Sequence, residues 1–168
     1  MAIHKRLIML LPTFVLMANN LMANTQPEFY SRYMKYSSEE LLRMGNTYAE
    51  KSKLADSALV CFSIVVNRAT KKMSLQEKQN VMIGYIRRWY VYFFGFFNYE
   101  KSYANLLQAK RIAEETGLGL SRINLNFGCM YQMMAEQSGN EQLKNKALAF
   151  YRKAFEESMK ACDESSLN

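Results

Sequence analysis

"INLNFGCMYQMM", residues 123 to 134, decides how this chain is read. Its apolar residues recur at helical spacing, yet Gly128 stands in the middle. A glycine inside a helix costs roughly 1 kcal/mol relative to alanine. "RMGNTY", residues 43 to 48, repeats the pattern: Met44-Gly45 with Tyr48 matches Phe127-Gly128 with Tyr131. A helix tolerates such a glycine where another backbone must come close, because close packing offsets the propensity loss. The aromatic residue four positions after the bulky one lies on the same face and fills the adjacent gap.

Helical punctuation surrounds these two segments. "SSEE" supplies a capping box, Ser37 with Glu40, and "SLQE" a second, Ser74 with Glu77. The first box opens a helix with a stripe at Leu41, Met44, Tyr48 and Leu54, expected to end near Lys51 to Lys53. Asp56 is the expected cap of a second helix, whose apolar face carries Ala58, Leu59, Phe62, Val65 and Val66. A long third helix follows Ser74 and reaches about Phe96. Asn98 caps a fourth, which stops at Gly117. A fifth runs from near Leu120 to Gly139, and a sixth from Asn140 or Glu141 to about Ala161. Asp163 is read as the cap of a seventh helix, begun within residues 163–168. Only Pro12 and Pro27 occur, so the chain from Glu28 onward lacks the proline that all-β folds use in turns. The fold class expected is all-α, with three antiparallel helical hairpins in series across residues 37–162.

The second helix of each hairpin carries one pattern: a small residue, three others, then a bulky one. Ala58 precedes Phe62, Ser102 precedes Leu106, and Ala147 precedes Tyr151; Ala109 and Ala154 follow in the latter two. The small anchors lie 44 and then 45 residues apart. Internal periodicity of this size signals a solenoid. With the bulky–Gly–x–x–Tyr pattern of the first helices, the chain from about 38 to 161 resembles the tetratricopeptide repeat (TPR) family. The spacing exceeds that family's usual repeat of 34. In the middle repeat Gly84 stands for the helix-contact glycine, and Arg87 occupies the place of the tyrosine.

The resemblance implies a concave groove lined by the first helices that takes a peptide or a partner protein. By position it implicates Asn46, Arg122 and Gln132, joined by Arg88 and Trp89 if Gly84 sets the middle register. One branch of the family grips a C-terminal carboxylate with a lysine ahead of a Gly-Asn pair. Here Gly45-Asn46 is present, but Leu42 stands in the lysine's place, with Arg43 beside it.

Residues 1–23 read as a secretory signal. Lys5 and Arg6 precede the apolar run "LIMLLPTFVLMA", and Ala18 or Ala23 offers a small residue at the cut. The run falls short of the ~20 residues a spanning helix needs, so an uncleaved anchor is the weaker alternative. Residues 24–36 form a lead-in. Export implies a periplasmic or secreted protein with no membrane span after signal removal. Removal would lower the net charge of +7 by two and take away His4, the only histidine. Without it, Ser–His and Cys–His pairs and histidine-bearing metal sites are excluded. No phosphate-cradling glycine loop or zinc spacing occurs, so neither a cofactor, a metal nor enzymatic activity is expected. The scattered basic residues and modest charge argue against nucleic acid. Cys61, Cys129 and Cys162 lie far apart and are expected as free, mostly buried thiols.

The densest aromatic stretch, "RRWYVYFFGFFNYEKSY" (87–103), has two readings: core of the central repeat, or a recognition surface whose aromatic anchors with Arg87 and Arg88 suit a peptide or acidic ligand. Two functions remain in view. One is an exported, non-enzymatic TPR-like scaffold for a protein or peptide. The other is the truncated extracytoplasmic sensor of a TPR-containing transcriptional regulator. An uncapped last hairpin would also favour self-association.

Overall fold

The computed structural model describes residues 30 to 166. The signal segment, both candidate cuts and Pro27 lie outside the described residues. Contacts divide the chain between Tyr36 and Ser37. Residues 30 to 36 hold a short helical turn in which the Tyr36 amide donates to the Tyr33 carbonyl at 3.2 Å.

From Ser37 onward the described residues are helical, with no strand among them. The helices are α1 (Ser38–Ala49), α2 (Ala55–Asn67), α3 (Leu75–Tyr90), α4 (Tyr99–Thr116), α5 (Leu120–Ser138) and α6 (Glu141–Ser166). Both capping boxes form. The Glu40 amide donates to Ser37 Oγ at 3.2 Å and the Ser37 amide to the Glu40 carboxylate at 2.8 Å. Ser74 and Glu77 repeat that geometry at 3.2 and 2.7 Å. These reciprocal bonds satisfy amide groups that a helix start leaves open, and they hold the pKa of both glutamates below the usual carboxylate value. Asn98 Oδ1 caps α4 by accepting from the Lys101 amide at 2.9 Å. Gly117 and Gly139 end α4 and α5 with φ of 71° and 66°, the left-handed region that glycine enters without cost.

Three local expectations are corrected, and the end of the third helix gains a detail. α1 stops at Ala49, ahead of Lys51–Lys53, because Lys51 turns to extended backbone; Leu54 belongs to a separate 3-10 turn, Ser52–Leu54. Asp56 does not cap α2, which begins one residue earlier at Ala55, so its carboxylate sits inside the first turn. Asp163 opens no new helix: α6 runs unbroken to Ser166. The third helical run reaches Gly95, close to the expected end near Phe96, but its last turn, Val91–Gly95, is π-helical. Such a turn inserts extra residues into the helical repeat and shifts the side chains that follow it.

The helices pack in chain order as three hairpins: α1 with α2, α3 with α4, α5 with α6. α3 also packs on α2 and α1, and α5 on α4. Antiparallel pairing shows in the contacts. Lys78 near the start of α3 bonds Glu115 near the end of α4 at 2.6 Å. Ser121 at the start of α5 donates to the Ala154 carbonyl of α6 at 2.9 Å. Gly45 and Gly128 are buried. A Cβ on Gly45 would lie 2.7 Å from Cζ of Phe62, and one on Gly128 would lie 2.5 Å from Cδ1 of Tyr151. Each glycine therefore faces the bulky residue of its own partner helix.

Gly84 differs. A Cβ there would meet Val66 and Val65 of α2 at 3.0 and 3.2 Å, so its close approach is to the preceding hairpin and not to Leu106 of α4. The middle hairpin closes instead through a cluster that includes Met82, Ile86, Trp89, Phe93, Leu106, Ala109, Ile123 and Phe127, shared by α3, α4 and α5. Ala58, Ser102, Ala147 and Ala154 are all buried, while Tyr48, Tyr131 and Tyr151 are half-buried. Cys61 is buried, Cys129 half-buried and Cys162 exposed. Burial pushes the Cys61 thiol up to about 11.

The corner between α3 and α4 carries a strained residue. Phe97 has φ of 51° and is 68% exposed. A non-glycine residue in that region costs roughly 1–2 kcal/mol. Replacing it with glycine removes the strain and sacrifices little packing, against a backbone-entropy cost of about 0.5–1 kcal/mol. Phe97→Gly is expected to raise stability by a few tenths to about 1 kcal/mol, read as a higher urea midpoint at unchanged slope.

Candidate functional site

Among the described residues, no group of three or more histidine, cysteine, aspartate or glutamate side chains could hold a metal. No helix there is long and apolar enough to cross a membrane. The concave features are grooves between helices, and three of them separate by chemistry.

The groove between α4, α5 and α6 encloses about 520 Å³ and is lined by both signs of charge, with Lys110, Glu114, Lys153, Glu156 and Glu157 at its walls. Lys110 and Glu114 already pair with each other there. The groove between α5 and α6 encloses about 460 Å³ and is mostly apolar, with Ala135, Ala147, Leu148 and Tyr151 in its walls. Gln132 stands in it, but its polar atoms are engaged: Oε1 accepts from the Tyr151 hydroxyl at 2.6 Å, and Nε2 donates to Glu136 at 2.8 Å. Burial is the first cause that lifts the Tyr151 phenol to about 12.

The third groove lies where α3 meets the α4–α5 turn and the start of α5. It encloses about 340 Å³ between Gln76, Gln79, Ile83, Ile86, Leu118 and Arg122. No carboxylate lines it. Arg122 is exposed at its edge. Arg87, one turn beyond Ile83 on α3, is half-buried, and its Nε is buried without a hydrogen-bond partner. Burial lowers the Arg87 pKa, and the positive charge of Arg122 lowers it further. Neither arginine makes an ion pair among the described residues. Two guanidinium groups that repel one another, one of them half out of water, form an uncompensated positive site.

The five residues implicated by position do not converge. Arg122 lines the α3–α5 groove and Gln132 the α5–α6 groove. Asn46, Arg88 and Trp89 line none of the three. Asn46 is half-buried with a buried, unbonded Oδ1. Arg88 is half-buried and lies 5.9 Å from the Tyr92 ring centre, a cation–π distance. Trp89 is corrected outright: it is 5% exposed, part of the central core and stacked on Phe93 at 6.1 Å, so its ring is not offered to a ligand. The aromatic stretch divides between core and surface. Trp89, Val91 and Phe93 are buried, while Tyr90, Phe94, Phe96 and Phe97 are exposed. Arg87 is not among the five residues implicated by repeat position; it enters only through the recognition-surface reading of the aromatic stretch. The signal was an arginine in the place of a half-buried tyrosine.

Compared with family models, curated proteins and solved structures, the chain matches none of them.

Proposed function

We propose that this chain is an exported, TPR-like solenoid of three helical hairpins that binds a partner protein by an acidic segment, without bond chemistry. The serial hairpins and the glycine contacts at Phe62 and Tyr151 support the repeat reading. The observation that carries the binding reading is the Arg87–Arg122 pair beside an apolar groove without carboxylates. A carboxylate seated between the two guanidiniums relieves their repulsion and satisfies the Arg87 Nε, while Ile83, Ile86 and Leu118 take an apolar neighbour. Charge-assisted bonds of this kind are the stronger class. A groove of this size, with Arg122 in its wall and Arg87 one turn beyond Ile83, suits one carboxylate-bearing segment and not a run of phosphates.

The test is a random decapeptide display against the folded protein from residue 24 onward. Enrichment of sequences with Asp or Glu next to an aliphatic residue is expected. Against a selected peptide, Arg122→Gln and Arg87→Gln should each weaken binding about 10- to 100-fold, which is one or two charged hydrogen bonds. Selected peptides with no acidic bias, or equal binding by the folded double variant, would overturn the reading.

A further inference from the structure

α6 extends past the helix it pairs with. Ser121, in the first turn of α5, bonds the carbonyl of Ala154, and Glu156 and Glu157 still wall a groove with Leu120, so α6 runs past the start of α5 from about Ser158 onward. That overhang is about two and a half turns long at 3.6 residues per turn. An isolated helix of such length is marginal in water. Its surface is also unusual. Leu148 is 46% exposed, Phe155 66% and Met159 50%. At 100° per residue these three fall within about 40° of one another on the helix, away from buried Ala147 and Ala154.

After Glu141, which suits the N-terminus, the charges along α6 run against its dipole. From 141 to 153 it carries Lys144, Lys146, Arg152 and Lys153 with one carboxylate, Glu141. From 154 to 166 it carries Glu156, Glu157, Asp163 and Glu164 with one cation, Lys160. Cations near the N-terminus and carboxylates near the C-terminus are each unfavourable to a lone helix. The arrangement becomes favourable when a second α6 lies antiparallel, because the basic half of each then faces the acidic half of the other.

We propose that α6 pairs with α6 of a second copy of this chain, antiparallel, about a two-fold axis at Phe155. In that register Phe155 meets its own counterpart, and Arg152 lies alongside the other Glu156. One self-complementary patch then serves both subunits and the assembly closes at two. The pairing covers the apolar stripe, supports the overhanging turns and neutralises the reversed charge. It is independent of the α3–α5 groove.

The test has two parts, both in a Cys162→Ser background. By analytical ultracentrifugation the protein is expected to dimerise, and Phe155→Glu should raise the dissociation constant at least tenfold while helical circular dichroism is retained. Mild oxidation of Phe155→Cys is expected to give a covalent dimer, because the two sulfurs face each other across the axis. Leu148→Cys should give none with its own copy, since antiparallel pairing holds those positions about 20 Å apart. A monomer at all concentrations, or cross-linking through Leu148→Cys as readily as through Phe155→Cys, overturns the proposal.

Discussion

Truncation of Trp89 to alanine is expected to cost about 3–5 kcal/mol, the usual loss for a buried aromatic side chain. The ring is 5% exposed and packs with Phe93, Ile86 and Leu106 at the junction of α3, α4 and α5. Domains have only about 5–15 kcal/mol in hand, so this one change removes a large share of it. Urea unfolding followed by circular dichroism reads the effect as a much lower midpoint. Trp89→Phe separates packing from polarity. The indole Nε1 is buried without a hydrogen-bond partner, and an unpaired buried donor is itself a cost. Phenylalanine keeps most of the ring and removes that donor, so its loss should stay below about 1.5 kcal/mol. Equal losses for both variants would mean that the indole ring is not packed as described. Weak binding by Trp89→Ala would report unfolding and carry no information about a ligand.

The second large effect is expected at Gly45. Helix propensity alone predicts that alanine there is stabilising by roughly 1 kcal/mol. The structure predicts the opposite sign. The added methyl would press on the Phe62 ring, which is fully buried and has nowhere to move. Overpacking of this kind costs about 1–3 kcal/mol, so Gly45→Ala should destabilise and Gly45→Val should lose about 3 kcal/mol. Gly128→Ala should cost less, because Tyr151 is half-buried and its ring has solvent on one side. Phe62→Leu combined with Gly45→Ala provides the check. A packing conflict makes the pair less damaging than the sum of the singles, and simple additivity would show that the two side chains do not meet.

These two positions also show what was legible in the sequence. The helix starts at Ser37, Ser74 and Asn98 and the stops at Gly117 and Gly139 are written in local chemistry, in hydroxyls, an amide and left-handed glycines. Such signals act over three or four residues, so they survive without knowledge of the fold. Asp56 and Asp163 carry the same kind of side chain, but neighbouring packing continues the helix past them. The π turn at Val91–Gly95 leaves no mark in hydrophobic spacing, because it is a change of backbone pairing within an apolar run. It also separates exposed Phe94 from buried Phe93 in a stretch where every residue is aromatic or aliphatic. The candidate site was the least legible part. Repeat position names which helix a residue belongs to, whereas Arg87 and Arg122 matter through what is missing around them. An absence of carboxylates between two helices becomes visible only when the helices are placed side by side.

Hairpins that touch mainly their neighbours leave α1 with no stake in α6. In such a chain, length is a free variable. A unit of about 44 residues could be duplicated or lost at one seam while the sequence elsewhere stayed as it is. Each unit answers only for its two faces, so a single gene can lengthen its product by copying a paragraph of itself.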